Sequence, residues 1–263
     1  MSDAAAPDSG TELAEVAAHT SPNPHRHPAS DRPWNQLQLI AFRLLFTGGG
    51  GLVLLVIYSN LGLAPLLRMT GIQWVLSQIG SYLTRGTSVM LGDGSDQAWQ
   101  WCGLLGWIVV AVLITVAWTA LDRSRTDYRS LMGLLHVISR FGLALTMIVY
   151  GLAKVLPTQM GGMALPSSQL RLYGDTSMFT TLWGFMGASA PYSIATGLIE
   201  LTAGLLLLWR RTWLPGALLA VIATVQVLLL NLFYNVPVKI EAASLMICAL
   251  AITAPYWPNC CAQ

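Results

Sequence analysis

Residues Arg140 to Gln159, RFGLALTMIVYGLAKVLPTQ, set thirteen uncharged residues between an arginine and a lysine and close on Pro157. As helix those thirteen span about 20 Å, against a bilayer hydrocarbon core of about 30 Å, so both cations cannot lie fully outside the core. Charges are costly inside a membrane span and are functional candidates where they occur. Snorkelling to opposite interfaces on long stems is the other reading, and it stays open for Lys154, beside the proline. Arg140 is harder to place that way.

The whole chain supports a membrane setting. Of 263 residues, 54% are hydrophobic and 10% charged, with a mean hydropathy of +0.58. A soluble domain carries about a quarter charged residues, so a polytopic membrane protein of all-α class is expected, its main partner the lipid bilayer. A net charge of +2 gives no case for nucleic acid. Cys102, Cys248, Cys260 and Cys261 form no C-x-x-C and no metal-ligand spacing with histidine, so neither a zinc site nor a thioredoxin-like motif is indicated. Cys102 and Cys248 read as small apolar residues in helices. The final CCAQ matches C-a-a-X, but a polytopic protein gains little from a lipid anchor.

Residues 1–33 are rich in Ala, Pro, Ser, Asp and His, with no apolar run of signal-peptide length, and read as a disordered cytoplasmic tail in which His19, His25 and His27 are solvated. Residues 34–130 read as two spans, about Leu37–Tyr58 and Ala98–Ala120, joined by an outer connection. The Gly48–Gly51 run of the first either admits a neighbouring helix or loosens the helix. In the connection, Ile72, Val75, Leu76, Ile79 and Leu83 recur at helical spacing, as in an amphipathic helix lying in the interface and roofing the outer side. Residues 131–255 read as four more spans, and 256–263 as a second cytoplasmic tail.

Arginines gather on one side, at Arg26, Arg32, Arg123, Arg125, Arg129, Arg210 and Arg211, whereas the other side has chiefly Arg68, Arg85, Arg171 and Lys239. The positive-inside rule then places both termini in the cytoplasm, and the tryptophans fall into two belts at the span ends. The protein is expected in a bacterial inner membrane.

Glu200 is the sharpest signal. It lies about 14 to 18 Å of helix from either end of its span, farther than a short carboxylate can snorkel. It must be protonated, paired with a cation or facing a polar cavity. An ion pair that only fixes the packing is the alternative to a functional role. Matching the midpoints of the spans puts Arg140 at the depth of Glu200, and an arginine cannot neutralise itself by losing a proton, so an Arg140–Glu200 pair is expected, with Lys154 reaching the outer interface. These two are the candidate catalytic residues. Tyr150, Lys154, Gln159, Gln226, Asn231, Tyr234 and Lys239 collect in the outer half as candidate ligand-binding residues. His136 reads as interfacial rather than as a haem ligand. In the loop after the third span, DTSMFTTLWGFMG predicts a short amphipathic helix, capped by Asp175, that covers the outer mouth.

Arg140, Gly151 and Lys154 in RFGLALTMIVYGLAKVLP, followed by Gly197, Glu200 and Gly204 in TGLIELTAGLLLLWRR, resemble the signatures of the DoxX family of small four-helix membrane proteins. The resemblance covers about Leu131 to Ala254 and implies a four-helix bundle with a role beside membrane redox chemistry. The chain adds two N-terminal spans and has no thiol pair in the bundle. The expectation is a six-span, quinone-linked redox subunit or accessory factor that receives electrons from a soluble or membrane partner, with no flavin or metal site. The alternative is a non-enzymatic scaffold or carrier that recruits a partner protein.

Overall fold

The computed structural model describes residues 33–85, 89, 95–156 and 158–254; His19, His25, His27, Cys260, Cys261 and the two tails lie wholly or largely outside them. The chain divides into residues 1–35 and 36–263, and the described helices belong to the second unit. Nine concern the site: α1 Gln36–Asn60, α2 Ala64–Met69, α3 Ile72–Thr84, α4 Ala98–Leu121, α5 Arg129–Val155, α6 Met178–Ala188, α7 Ala190–Leu208, α8 Trp213–Phe233 and α9 Lys239–Thr253. Among the described residues no strand occurs. Five helices, α1, α4, α5, α7 and α8, are long and apolar enough to cross a membrane, and the protein is a multi-pass membrane protein. At 15 residues, α9 is shorter.

Helices α5, α7, α8 and α9 close a ring, each packed on the next, and α1 lies outside it against α5 and α9. In lipid, apolar side chains have no preference for protein over hydrocarbon, so small residues that let backbones approach decide which faces meet. The α5–α7 contact shows this. A Cβ on Gly151 would stand 2.6 Å from the Leu201 nitrogen, one on Gly197 2.8 Å from the Gly151 oxygen, and one on Gly204 2.9 Å from the Ala144 oxygen. These contacts set an antiparallel register that the site depends on. Leu143, Ala144, Ala203, Leu207, Ala217 and Ala249 fill the ring's interior.

The Gly48–Gly51 run serves both of its expected roles. Leu45–Gly49 winds as a π-turn within α1, and the Trp107 indole donates 3.0 Å to the Gly48 carbonyl. A Cβ on Gly51 would stand 2.0 Å from the same ring.

The connection after α1 forms a helix, but not the expected roof. Helix α3 runs antiparallel along α4, where Gly80 faces the Cys102 carbonyl and Gly106 the Leu76 carbonyl. Its small face, Ser77 and Gly80, is buried, while Ile72, Val75 and Leu83 point away. Backbone proximity, rather than the apolar stripe, selects the packed face.

The segment after α5 does cover one end of the ring. Helix α6 begins at Ser177 rather than Asp175: the Ser177 hydroxyl accepts from the Thr180 N–H at 3.1 Å, whereas Asp175 ends a preceding 3-10 turn. Leu182 and Met186 then bury against Met160 and Val236.

Candidate functional site

The register of α5 on α7 brings Gly197 against the Lys154 Cβ, and Lys154 donates to Glu200 in a direct ion pair with side chains 9% and 6% exposed. This corrects the expected Arg140–Glu200 pair. Helix α5 has 27 residues and α7 has 19, and Gly204 already meets Ala144 and Ile148 near the end of α7. Arg140 therefore falls beyond the carboxylate, about ten residues or 15 Å of helix from the level of Glu200. Its guanidinium stands 4.8 Å from the Phe141 ring centroid, and it makes no hydrogen bond or ion pair among the described residues. Matching helix midpoints fails when the helices differ in length. Lys154, one residue from the end of α5, turns into the bundle and stays buried on its carboxylate.

Glu200 holds the ammonium through one oxygen, and its Oε2 is buried with no hydrogen-bond partner. The Gln159 Oε1 is likewise buried and open, where the Trp183 indole donates 3.3 Å to the Gln159 backbone carbonyl. Tyr234 packs with the cluster beneath α6. Lys154, Gln159 and Tyr234 thus lie toward the end of the ring that α6 covers, and Lys154 reaches from there to Glu200, midway along α7.

A second polar group crosses from α5 to α9. The Tyr150 hydroxyl lies beside the Glu241 carboxyl. Asn60, at the end of α1, donates to the same carboxyl at 3.4 Å and to the Thr146 hydroxyl at 3.2 Å. Next to it, Asp96 caps α9 from far along the chain: its carboxylate accepts from the Lys239 N–H and, at 3.1 Å, from the Ile240 N–H. The Lys239 ammonium lies 4.0 Å from the same carboxylate and donates 2.9 Å to the Asn235 side chain. Asp96 holds a left-handed backbone, φ 56°, which aspartate adopts more readily than most residues. Val238, the residue preceding α9, supplies no side-chain cap. Asp96→Ala should therefore cost about 1–2 kcal/mol; chemical unfolding in mixed micelles measures it, and an unchanged midpoint would show that the cap contributes nothing.

The remaining expected residues fall elsewhere. Asn231 is buried and donates 3.4 Å to the Val238 carbonyl, which locks the α8–α9 turn. Gln226 is on the exposed face of α8, away from the ring interior. His136 meets the edge of the Trp213 ring at 5.0 Å. Cys102 and Cys248 are free and buried.

Sequence reasoning passed over Asn60, Asp96 and Arg43. Arg43 is 2% exposed on α1. It donates to the Tyr128 hydroxyl at 3.1 and 2.8 Å, to the Thr119 hydroxyl at 3.0 Å and to the Asp122 carbonyl at 2.7 Å. The Tyr128 hydroxyl in turn donates to the Asp122 carboxylate at 2.8 Å. A lone arginine inside an apolar run was the available signal.

Over 113 residues, 43% of this chain and 71% of the relative, the sequence is 33% identical to "Uncharacterized protein YwoB" of Bacillus subtilis (strain 168). No protein-family model matches the chain, and no solved structure matches it.

Proposed function

The chain belongs to the family of the Bacillus subtilis protein YwoB, and we propose, on its own buried ion pair, that it is a DoxX-like, quinone-linked redox subunit or accessory factor of a bacterial inner membrane, in which Glu200 takes up and passes on a proton against Lys154. The reading counts α9 as a sixth span, packed along α8, and places both termini in the cytoplasm on the distribution of arginines. The observation that carries it is the nine-tenths-buried ion pair with one carboxylate oxygen committed and the other open. Such a carboxylate can accept a proton on its open oxygen while its first oxygen keeps the lysine in place. A quinone gains two electrons and two protons on reduction, so a carboxyl deep in the bundle has a use beside it.

In this reading the two electrons come from a partner protein, Glu200 delivers a proton to the quinone oxygen, and a second proton follows after the carboxylate is reloaded. Lys154 and Tyr234 supply donors for a head group, and Gln159 helps to position it. The residues that carry the DoxX resemblance support the assignment because Gly151, Lys154, Gly197, Glu200 and Gly204 all lie along the single α5–α7 contact. Arg140 does not join them.

Glu200→Gln keeps size and hydrogen bonding but removes the titrating group. Because it strands the Lys154 ammonium, the variant should assemble with a lowered unfolding midpoint, and under conditions where it is folded it should lose quinone-dependent turnover by about 10²-fold or more. Full turnover in Glu200→Gln, or purified protein with neither extractable quinone nor turnover with any donor, would instead favour the non-enzymatic scaffold.

A further inference from the structure

A cavity of about 160 Å³ lies between α1, α5 and α9, on a different face of α5 from the one that meets α7. Its floor includes the buried Leu135, Leu143, Leu245 and Ile252, while Leu45, Met132 and Ile247 on its rim are 44%, 40% and 61% exposed. It therefore opens through the side of the helix assembly. Along α5 the lining runs from Met132 to Leu143, eleven steps or about 16 Å. In a membrane protein the side of the assembly faces hydrocarbon, so a long, narrow, aliphatic slot opening there admits a lipid chain and not water.

Two further observations make it more than a packing fault. First, hydroxyls in these apolar helices bond back to their own backbone, as Thr146 does to Gly142 at 3.0 Å, Thr224 to Ala220 at 2.7 Å and Ser244 to Ile240 at 2.7 Å. Ser139 is 9% exposed in the slot wall, yet its hydroxyl makes no hydrogen bond among the described residues. His136, one turn away, also lines the slot and likewise has no hydrogen bond there. A hydroxyl that opens onto hydrocarbon without a partner is costly. Secondly, Leu45 and Gly49 of the π-turn form part of the opposite wall, and π-turns recur at functional sites.

We propose that this slot binds one membrane lipid that carries a carbonyl group, its chain lying along α5 and its carbonyl accepting a hydrogen bond from the Ser139 hydroxyl beside His136. An isoprenoid quinone and an ester-linked glycerolipid share that chemistry. The site is separate from Glu200 and does not need the redox reading to hold.

The test uses the full chain in mild detergent, with native mass spectrometry and extraction of retained lipid. After delipidation the protein is reloaded in separate arms with a long-chain benzoquinone, an ester-linked phosphatidylglycerol and its ether-linked analogue. Wild type should retain one molecule of the quinone or of the ester lipid, which identifies the source, and bind the ether analogue at least tenfold less. Ala251→Phe, which fills an exposed rim position, should cut retention at least tenfold, and Ser139→Ala at least threefold. Unfolding midpoints report whether each variant folds, and Ser139→Ala alone decides if Ala251→Phe does not. Equal retention by wild type and variants, equal retention of the ether analogue, or no retained lipid overturns the proposal. Loss of quinone turnover in Glu200→Gln would leave these retention values unchanged, so the two readings fail independently.

Discussion

Lys154→Met should lower the unfolding free energy by about 3–5 kcal/mol, because it leaves a carboxylate in the bundle without its cation. The partners are 9% and 6% exposed, so solvent screening does little to soften the loss. Replacing both, Lys154→Met with Glu200→Leu, should recover most of that loss, since the well-packed apolar pair strands no charge. The coupling between the two sites should then reach about 2 kcal/mol or more. Arg140→Gln combined with either substitution should be additive to within about 0.5 kcal/mol, as expected of sites more than about 10 Å apart. Chemical unfolding in mixed micelles gives all of these values. Strong coupling of Glu200 to Arg140, with little to Lys154, would return the pair to the arginine and contradict the α5–α7 register.

That register marks where the sequence stopped being legible. Span length and apolar composition place α1, α4, α5, α7 and α8 to within a few residues, because a bilayer core dictates how long such helices must be. Glu200 was recognisable as buried on the same ground. Its partner was not, because α5 and α7 differ in length and nothing in either sequence says which turn of one meets which turn of the other; the approach of Gly151, Gly197 and Gly204 decides that. Helix α3 was legible as a helix, yet its apolar stripe misdirected the choice of face, since in lipid the close fit of Gly80 on Cys102 outweighs aliphatic periodicity. The lid helix was legible in type and place, and its cap was missed by two residues because Asp175 and Ser177 are both good cap formers. Asp96 could not be foreseen as the cap of α9: the contact joins residues 143 apart, across every intervening span.

The second large effect belongs to Arg43. Its guanidinium spends four hydrogen bonds on Tyr128, Thr119 and the Asp122 carbonyl, and it is 2% exposed. Together with the Phe42–Tyr128 stack at 5.3 Å, these contacts fasten the α4–α5 connection to α1. Hydrogen bonds from a charged donor are each worth more than neutral ones. Arg43→Met should therefore destabilise by about 3–5 kcal/mol, most of it from acceptors left without a donor. Lysine should recover less than half of this, because one ammonium cannot reproduce the planar fork that meets Tyr128, Thr119 and the Asp122 carbonyl at once. Tyr128→Phe should cost less, about 1–3 kcal/mol, since it removes one acceptor for the arginine but leaves Thr119 and the Asp122 carbonyl in place. The order Arg43→Met, then Arg43→Lys, then Tyr128→Phe, from largest loss to smallest, is read from unfolding in mixed micelles. An Arg43→Met variant within about 1 kcal/mol of wild type would mean that the cluster is replaceable by apolar packing, as some buried charge networks are.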